Sequence, residues 1–142
     1  MKSTFSLICI ILLVSCSSNS NEDKACNFLL DVGVNFTIDL SLPQYSQLNF
    51  AGNSIYISSQ GNAGIIVATT GADFFAWDAA DPNHAVSACS KITPSGLFGA
   101  CGCDDGNKYN FVTGEPDSND GLRCSLRNYR IEKNGNNLLI FN

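Results

Sequence analysis

The sequence predicts an all-β domain, a small sandwich or partly open barrel of antiparallel strands. Three observations carry that expectation. Apolar residues recur at every second position or in short β-branched runs; Gly, Asn, Asp and Pro interrupt them at short intervals; and no segment after residue 30 keeps a long helical period. Taken in order, residues 36–40 (Phe-Thr-Ile-Asp-Leu) alternate apolar and polar, as a strand buried on one face does. Residues 55–57 repeat the alternation after the Gly52-Asn53 turn signal. Residues 64–70 are continuous and mostly β-branched, which suits a strand buried on both faces. Residues 74–77 (Phe-Phe-Ala-Trp) follow Gly71 and are expected to pair with that run as a hairpin. Residues 97–100 lead into a cysteine-rich stretch, and 108–112 lead out of it. Residues 129–132 and 138–141 flank Asn134-Gly135-Asn136-Asn137, a strong hairpin signal.

The start of the chain reads differently. Lys2 precedes an almost wholly apolar run, residues 5–14, which is too short for a membrane-crossing helix of roughly 20 residues. A charged start, a short apolar core and a small residue before the cut fit a secretory signal. Leu13-Val14-Ser15-Cys16 resembles the bacterial lipobox, which implies that Cys16 is acylated and becomes the first residue of the mature chain. The plainer alternative is a signal peptide that happens to contain a cysteine. The polar run 17–23 (Ser-Ser-Asn-Ser-Asn-Glu-Asp) favours the lipoprotein, because an anchored domain needs a tether. The expected organisation is a leader over 1–15, a lipidated polar tether over 16–31 and one β domain over 32–142. The expected location is the bacterial cell envelope, with the membrane reached through the lipid.

Composition narrows the function classes. The formal net charge is −5, and one unit more negative once Lys2 leaves with the leader. An acidic surface makes nucleic acid and anionic membrane surfaces poor partners, so the acyl chains and not charge would hold the protein to a membrane. A chain of this length buries roughly two thirds of its unfolded surface and does not depend on disulfides to fold. Export nevertheless favours disulfides. With Cys9 in the leader and Cys16 lipidated, Cys26, Cys89, Cys101, Cys103 and Cys124 remain, an odd number that leaves a thiol over.

Residues 64–142 carry a family resemblance. A strand pair ends in 76–84 (AWDAADPNH), a cysteine follows at 89, then come 100–116 (ACGCDDGNKYNFVTGEP) and 126–141 (LRNYRIEKNGNNLLIF). That order resembles the Rieske domain, a β-sandwich whose two facing tip loops bind a 2Fe–2S cluster. Thr113-Gly114-Glu115-Pro116 matches the family's Thr-Gly-x-Pro turn, and Tyr109 stands near its conserved-motif Phe position. The resemblance covers about the C-terminal 80 residues; 24–63 fit the leading strands of similar envelope lipoproteins less specifically.

Ligand by ligand the resemblance fails. A Rieske centre needs two thiolates on one iron and two imidazoles on the other, and this chain has one histidine, His84. Asp81 stands where the family has its first-loop ligand Cys. Asn83 occupies the first-loop His slot, with His84 one residue beyond. In the second loop Cys101 matches the ligand Cys, Asp104 replaces the ligand His, and Asp104-Asp105-Gly106 carries one extra residue. The family also places a disulfide between cysteines at positions resembling Cys89 and Cys103, which makes Cys103 a structural partner and Cys101 a remnant. The residues alone disfavour Cys101 as the rival partner only weakly, and the family pattern makes the choice. A separate Cys26–Cys124 bridge is left open, with nothing in the sequence that brings the two together.

Other chemistry is less well marked. His84 and Cys101 with an aspartate have atom types for zinc or mononuclear iron, but Cys-x-Cys with one distant His is a weak pattern. Asp104-Asp105-Gly106 lacks the alternating aspartates of a calcium loop and reads as a turn. Asp81 near His84, with many serines, would allow a hydrolytic triad, yet there is no Gly-x-Ser-x-Gly elbow. Phe74, Phe75 and Trp77 read as core rather than a ligand surface. Arg123, Arg127, Arg130 and Lys133 read as a solvated face. The expectation is a non-enzymatic envelope lipoprotein with no metal and no cofactor, acting as a binding or structural module for an envelope protein. The alternative is a 2Fe–2S electron-transfer protein whose ligands are Cys101, Asp81, Asp104 and His84, although carboxylates match iron–sulfur clusters poorly.

Overall fold

A computed structural model describes residues 26–117 and 121–142. Cys16, the leader over 1–15 and the tether as far as residue 25 lie outside the described residues.

Among the described residues nine strands form: β1 (Asn35–Asp39), β2 (Ser54–Ile57), β3 (Ile65–Thr69), β4 (Phe74–Asp78), β5 (Ile92–Ser95), β6 (Phe98–Cys101), β7 (Lys108–Asn110), β8 (Asn128–Asn134) and β9 (Asn137–Phe141). They make a six-stranded antiparallel sheet, ordered β1-β9-β8-β4-β3-β2, and a three-stranded one, ordered β5-β6-β7. The all-β expectation therefore holds, and each strand foreseen in the sequence is present. Residues 108–112 form a shorter strand than expected, because the Asn110 side chain accepts a hydrogen bond from the Val112 amide (2.8 Å) and turns the chain. Two elements were not foreseen. A 3-10 helix over Pro43–Asn49 sinks Leu48 into the core, and β5 contains Pro94. Proline donates nothing to a ladder, so it is tolerated here because β5 is an edge strand of its sheet.

β3 is buried at every position. Its side chains alternate in direction, so Ile65 and Val67 join one apolar cluster with Ile38, Leu48, Tyr129, Leu138 and Ile140. Ile66 and Ala68 join the other, with Trp77, Ile92, Tyr109, Phe111 and Leu126. This strand is the shared wall between the body of the domain and the smaller sheet that carries the tip loops. β8 and β9 meet at a two-residue turn, with Asn134 opposite Asn137 and Gly135 at φ 61°. Glycine as the first central residue is the preference of a type II′ hairpin.

The expected tether boundary at residue 31 falls inside a fastened stretch. Cys26 is disulfide-bonded to Cys124, the Leu30 amide donates to Asn62 Oδ1 (2.9 Å), and Arg127 pairs with Asp31 and with the Leu30 carbonyl. Residues 26–31 thus belong to the folded unit. Arg127 is accordingly a clamp and not part of a solvated basic face. Arg130 lies over the Phe141 ring (6.0 Å) and Lys133 over that of Phe74 (5.3 Å).

Candidate functional site

Two loops meet at one end of the smaller sheet. The first leaves β4 at Asp78, runs through Asp81, Asn83 and His84 to Cys89, and enters β5. The second joins β6 to β7 through Gly102–Asn107. Asp81 N to Ser90 O (2.8 Å) and Ile92 N to Ala79 O (2.7 Å) close the first loop on itself, and Gly102 N to Lys91 O (3.2 Å) joins the second loop to it. Gly102 allows that approach, since a Cβ there would lie 2.8 Å from the Cys89 carbonyl oxygen. Cys89 and Cys103 are joined by a disulfide across the loops, with Cα atoms 4.7 Å apart, the pairing that the Rieske resemblance implied.

Asp81 is wholly buried, yet its carboxylate is fully engaged. Oδ1 accepts from the Tyr109 hydroxyl (2.5 Å) and the Asn83 amide (2.8 Å), and Oδ2 accepts from Asn107 Nδ2 (2.9 Å). Asn83 Nδ2 donates to the Tyr109 oxygen (2.8 Å) and to the Cys124 carbonyl (3.0 Å), while its Oδ1 accepts from Cys124 N (3.3 Å). At the positions where the sequence resemblance sets the first-loop ligands, Asp81 and Asn83, this chain has a closed polar network. Among the described residues no buried side-chain nitrogen or oxygen lacks a partner, so the network leaves no donor or acceptor waiting for a ligand. Burial, followed by the hydrogen bond to Asp81, pushes the Tyr109 hydroxyl well above the ordinary phenol range.

A second buried carboxylate repeats the design. Asp78 accepts from the Tyr129 hydroxyl (2.7 Å), Asn62 N (2.8 Å), Asn62 Nδ2 (2.9 Å) and Ala80 N (2.9 Å). The sequence reading missed Asp78, Asn107 and Tyr129. The signal available was Asp-x-x-Asp between two apolar segments, with Tyr109 and Tyr129 as the donors.

Cys101, expected as an unpaired remnant, lies at the end of β6 with 5% of its surface exposed, so it is a core residue. Burial pushes its thiol pKa up to about 11, and the neighbouring carboxylate of Asp81 adds to the rise. Its sulfur lies 3.7 Å from the Cys89 carbonyl oxygen and 3.5 Å from the Cys103 amide nitrogen. His84 is partly exposed, with Nε2 2.6 Å from Asp105 Oδ2 and 3.7 Å from Asp81 Oδ2. Asp104 is exposed and stands outside these contacts; the extra residue Asp105 is the one that reaches His84. Where a metal-ligand group of His84, Cys101 and an aspartate was weighed, the structure instead gathers ligand atoms of His84, Cys101 and Cys103 within 4.8 Å of one another. Trp77 is core, as expected: its Nε1 donates to the Phe111 carbonyl (2.8 Å), and its ring packs on Gly114 of the Thr-Gly-Glu-Pro turn. A cavity of about 300 Å³ beside Phe98, Thr93 and Lys108 lies on the outer face of the small sheet, away from this constellation.

No protein-family model and no curated protein matches the chain. Solved structures do. A chain of the complex of reduced oxygenase and oxidized ferredoxin in carbazole 1,9a-dioxygenase superposes with a TM-score of 0.53 at 19% identity, over 76% of this chain and 93% of that one. The fold is Rieske-like. The ferredoxin of carbazole 1,9a-dioxygenase from Nocardioides aromaticivorans is also similar, with a TM-score of 0.49 at 15% identity, over 77% of this chain and 96% of that one.

The Rieske-like fold raises the question of a 2Fe–2S centre, and the residues present do not fit one. Two thiolates and two imidazoles are required. The loops supply one free thiol, one imidazole, a buried carboxylate already holding three donors and a half-buried amide already tied to the chain at Cys124.

Proposed function

We propose that this protein is a Rieske-like domain without the cluster, kept as a non-catalytic binding or structural module and anchored in the bacterial cell envelope through a lipid on Cys16. The observation that carries the first part is the Asp81–Tyr109–Asn107–Asn83 network. It replaces the coordination bonds that join the two loops in a Rieske centre by hydrogen bonds, so the loops keep their form with no metal. The Cys89–Cys103 disulfide adds a covalent link at the same place. The lipobox-like Leu13-Val14-Ser15-Cys16 supports the anchor, and two disulfides among the described cysteines suit an exported chain. The partner is then another envelope protein, and neither nucleic acid nor a catalytic substrate is called for.

Protein purified anaerobically should be colourless, hold no stoichiometric iron or acid-labile sulfide, and give no electron paramagnetic resonance signal after reduction. A Rieske-type reduced spectrum with stoichiometric iron would overturn the reading in favour of electron transfer through an altered ligand set. Mass spectrometry of detergent-extracted protein should find the acyl chains on Cys16, and Cys16→Ala should release the protein from the membrane. A wild-type protein recovered soluble and unmodified would remove the anchor from the proposal.

A further inference from the structure

The Cys89–Cys103 disulfide, the buried Cys101 thiol and the His84 imidazole occupy one small space. One ligand atom each from His84, Cys101 and Cys103 lie within 4.8 Å of one another, and Cys89 Sγ is bonded to Cys103 Sγ. In a tetrahedral zinc site with Zn–S bonds of roughly 2.3 Å, neighbouring sulfurs stand roughly 3.8 Å apart. The cluster is therefore already near the size of a zinc site, and one covalent bond keeps it from being one. We propose that reduction of the Cys89–Cys103 disulfide creates a Cys3His site, built from His84, Cys89, Cys101 and Cys103, that binds a single zinc ion.

The chemistry balances with a dithiol reductant. It delivers two electrons and two protons to the Cys89–Cys103 bond and leaves as its own disulfide. Zinc then takes the places of the thiol protons of Cys89, Cys101 and Cys103, which pass to solvent, and accepts a lone pair from one imidazole nitrogen. Thiolate and imidazole ligands suit zinc, and Cys3His is one of its structural ligand sets.

The loops stay in place without the disulfide. Gly102 N donates to Lys91 O, Cys101 N to Asn107 O and Asp81 N to Ser90 O, and Ile92 pairs with Cys101 across the β5–β6 ladder. These bonds flank all three cysteines. Asn83, tied to the Cys124 backbone, fixes the residue before His84. Asp105, bonded to the His84 ring, is placed to orient it as carboxylates orient metal-bound histidines. Zinc and the disulfide are then alternative cross-links of one pair of loops, chosen by redox state.

The test uses the full folded protein, reduced with a phosphine under argon and titrated with cobalt(II). One equivalent should bind with the intense visible bands of four-coordinate cobalt and thiolate-to-cobalt charge transfer in the ultraviolet, and zinc should bleach them. The oxidised protein should bind none. Cys101→Ser and His84→Asn should each weaken binding by more than about tenfold, and Asp105→Asn by about tenfold, the scale on which an orienting contact acts. Glu132→Gln, on β8, should have no effect. Far-ultraviolet circular dichroism reports the fold throughout; if reduction unfolds the chain, zinc should restore the native spectrum. The proposal is overturned by a reduced, folded protein that binds no cobalt, by a pale six-coordinate spectrum, or by an unfolded reduced chain that zinc does not refold. Binding undiminished in Cys101→Ser, as reduced Cys26 and Cys124 would give, overturns it equally.

Discussion

At the scale of single residues, the tip of this domain turns on Asp81. A carboxylate without water is costly unless its oxygens are met, and Tyr109, Asn107 and the Asn83 amide meet them. Replacing it by alanine removes the acceptor from three donors, the buried groups of Tyr109 and Asn107 and the half-buried Asn83 amide. Each unsatisfied group costs about 1–3 kcal/mol, so Asp81→Ala should lose more than about 3 kcal/mol in urea unfolding. Tyr109→Phe removes one donor to the same carboxylate and should lose about 1.5–3 kcal/mol. A loss below about 1 kcal/mol for Asp81→Ala would mean that the network contributes little.

Among the elements, the Thr113–Pro116 turn shows most directly why a particular residue is needed. Gly114 sits at φ +77°, a conformation other residues seldom adopt, and a Cβ there would come within 2.5 Å of the Trp77 ring. Its amide donates to Asn110 O and its carbonyl accepts from Leu126 N, so it cannot move away without breaking both bonds. Gly114→Ala should therefore cost more than about 2 kcal/mol and alter Trp77 fluorescence, since φ strain and a steric clash act together. Gly135→Ala at the β8–β9 turn meets nothing within 4 Å and has only its positive φ against it, so it should cost less. Equal losses at the two glycines would remove the argument that the Trp77 contact is what selects glycine at 114.

For the whole molecule, the two disulfides act over different lengths of chain. Cys26–Cys124 spans 98 residues and Cys89–Cys103 spans 14. Chain-entropy arguments assign roughly 4.7 and 3 kcal/mol to loops of those sizes. The Cys26→Ala, Cys124→Ala double variant should thus lose more stability than the Cys89→Ala, Cys103→Ala one, and the reverse order would show that local structure outweighs loop length. Alkali should unfold the domain in a defined window. The folded state holds the protons of Cys101, Tyr109 and Tyr129 more tightly than the unfolded chain, mainly because burial disfavours the anions. The stability from these groups is complete below the unfolded values of 9.0 for the thiol and 10.0 for the phenols. It is lost as pH climbs through the folded values, about 11 for Cys101 and higher for the tyrosines. Urea midpoints should be flat up to about pH 9 and fall beyond it, with Tyr109 and Tyr129 ionising only as the fold opens. Early ionisation of these two tyrosines in the folded protein would contradict their burial.

Local physics made much of this legible from the sequence. The continuous run at 64–70 announced a strand covered on both faces, and β3 is that wall. Asn-Gly-Asn-Asn announced the β8–β9 hairpin. A single histidine rules out a two-imidazole ligand set within one chain. Periodicity and turn chemistry act across a few residues, so a sequence displays them directly. Only the tertiary structure decided what depends on distant partners. It paired Cys26 with Cys124, placed Pro94 on an edge strand, and fastened residues 26–31 to the domain. It also buried Cys101 and closed Asp81 and Asp78 inside rings of donors, Tyr129 reaching Asp78 from 51 residues away. Whether a carboxylate or a thiol ends in water or in the core is settled by which segments pack around it, and that packing is the cooperative outcome of the whole chain.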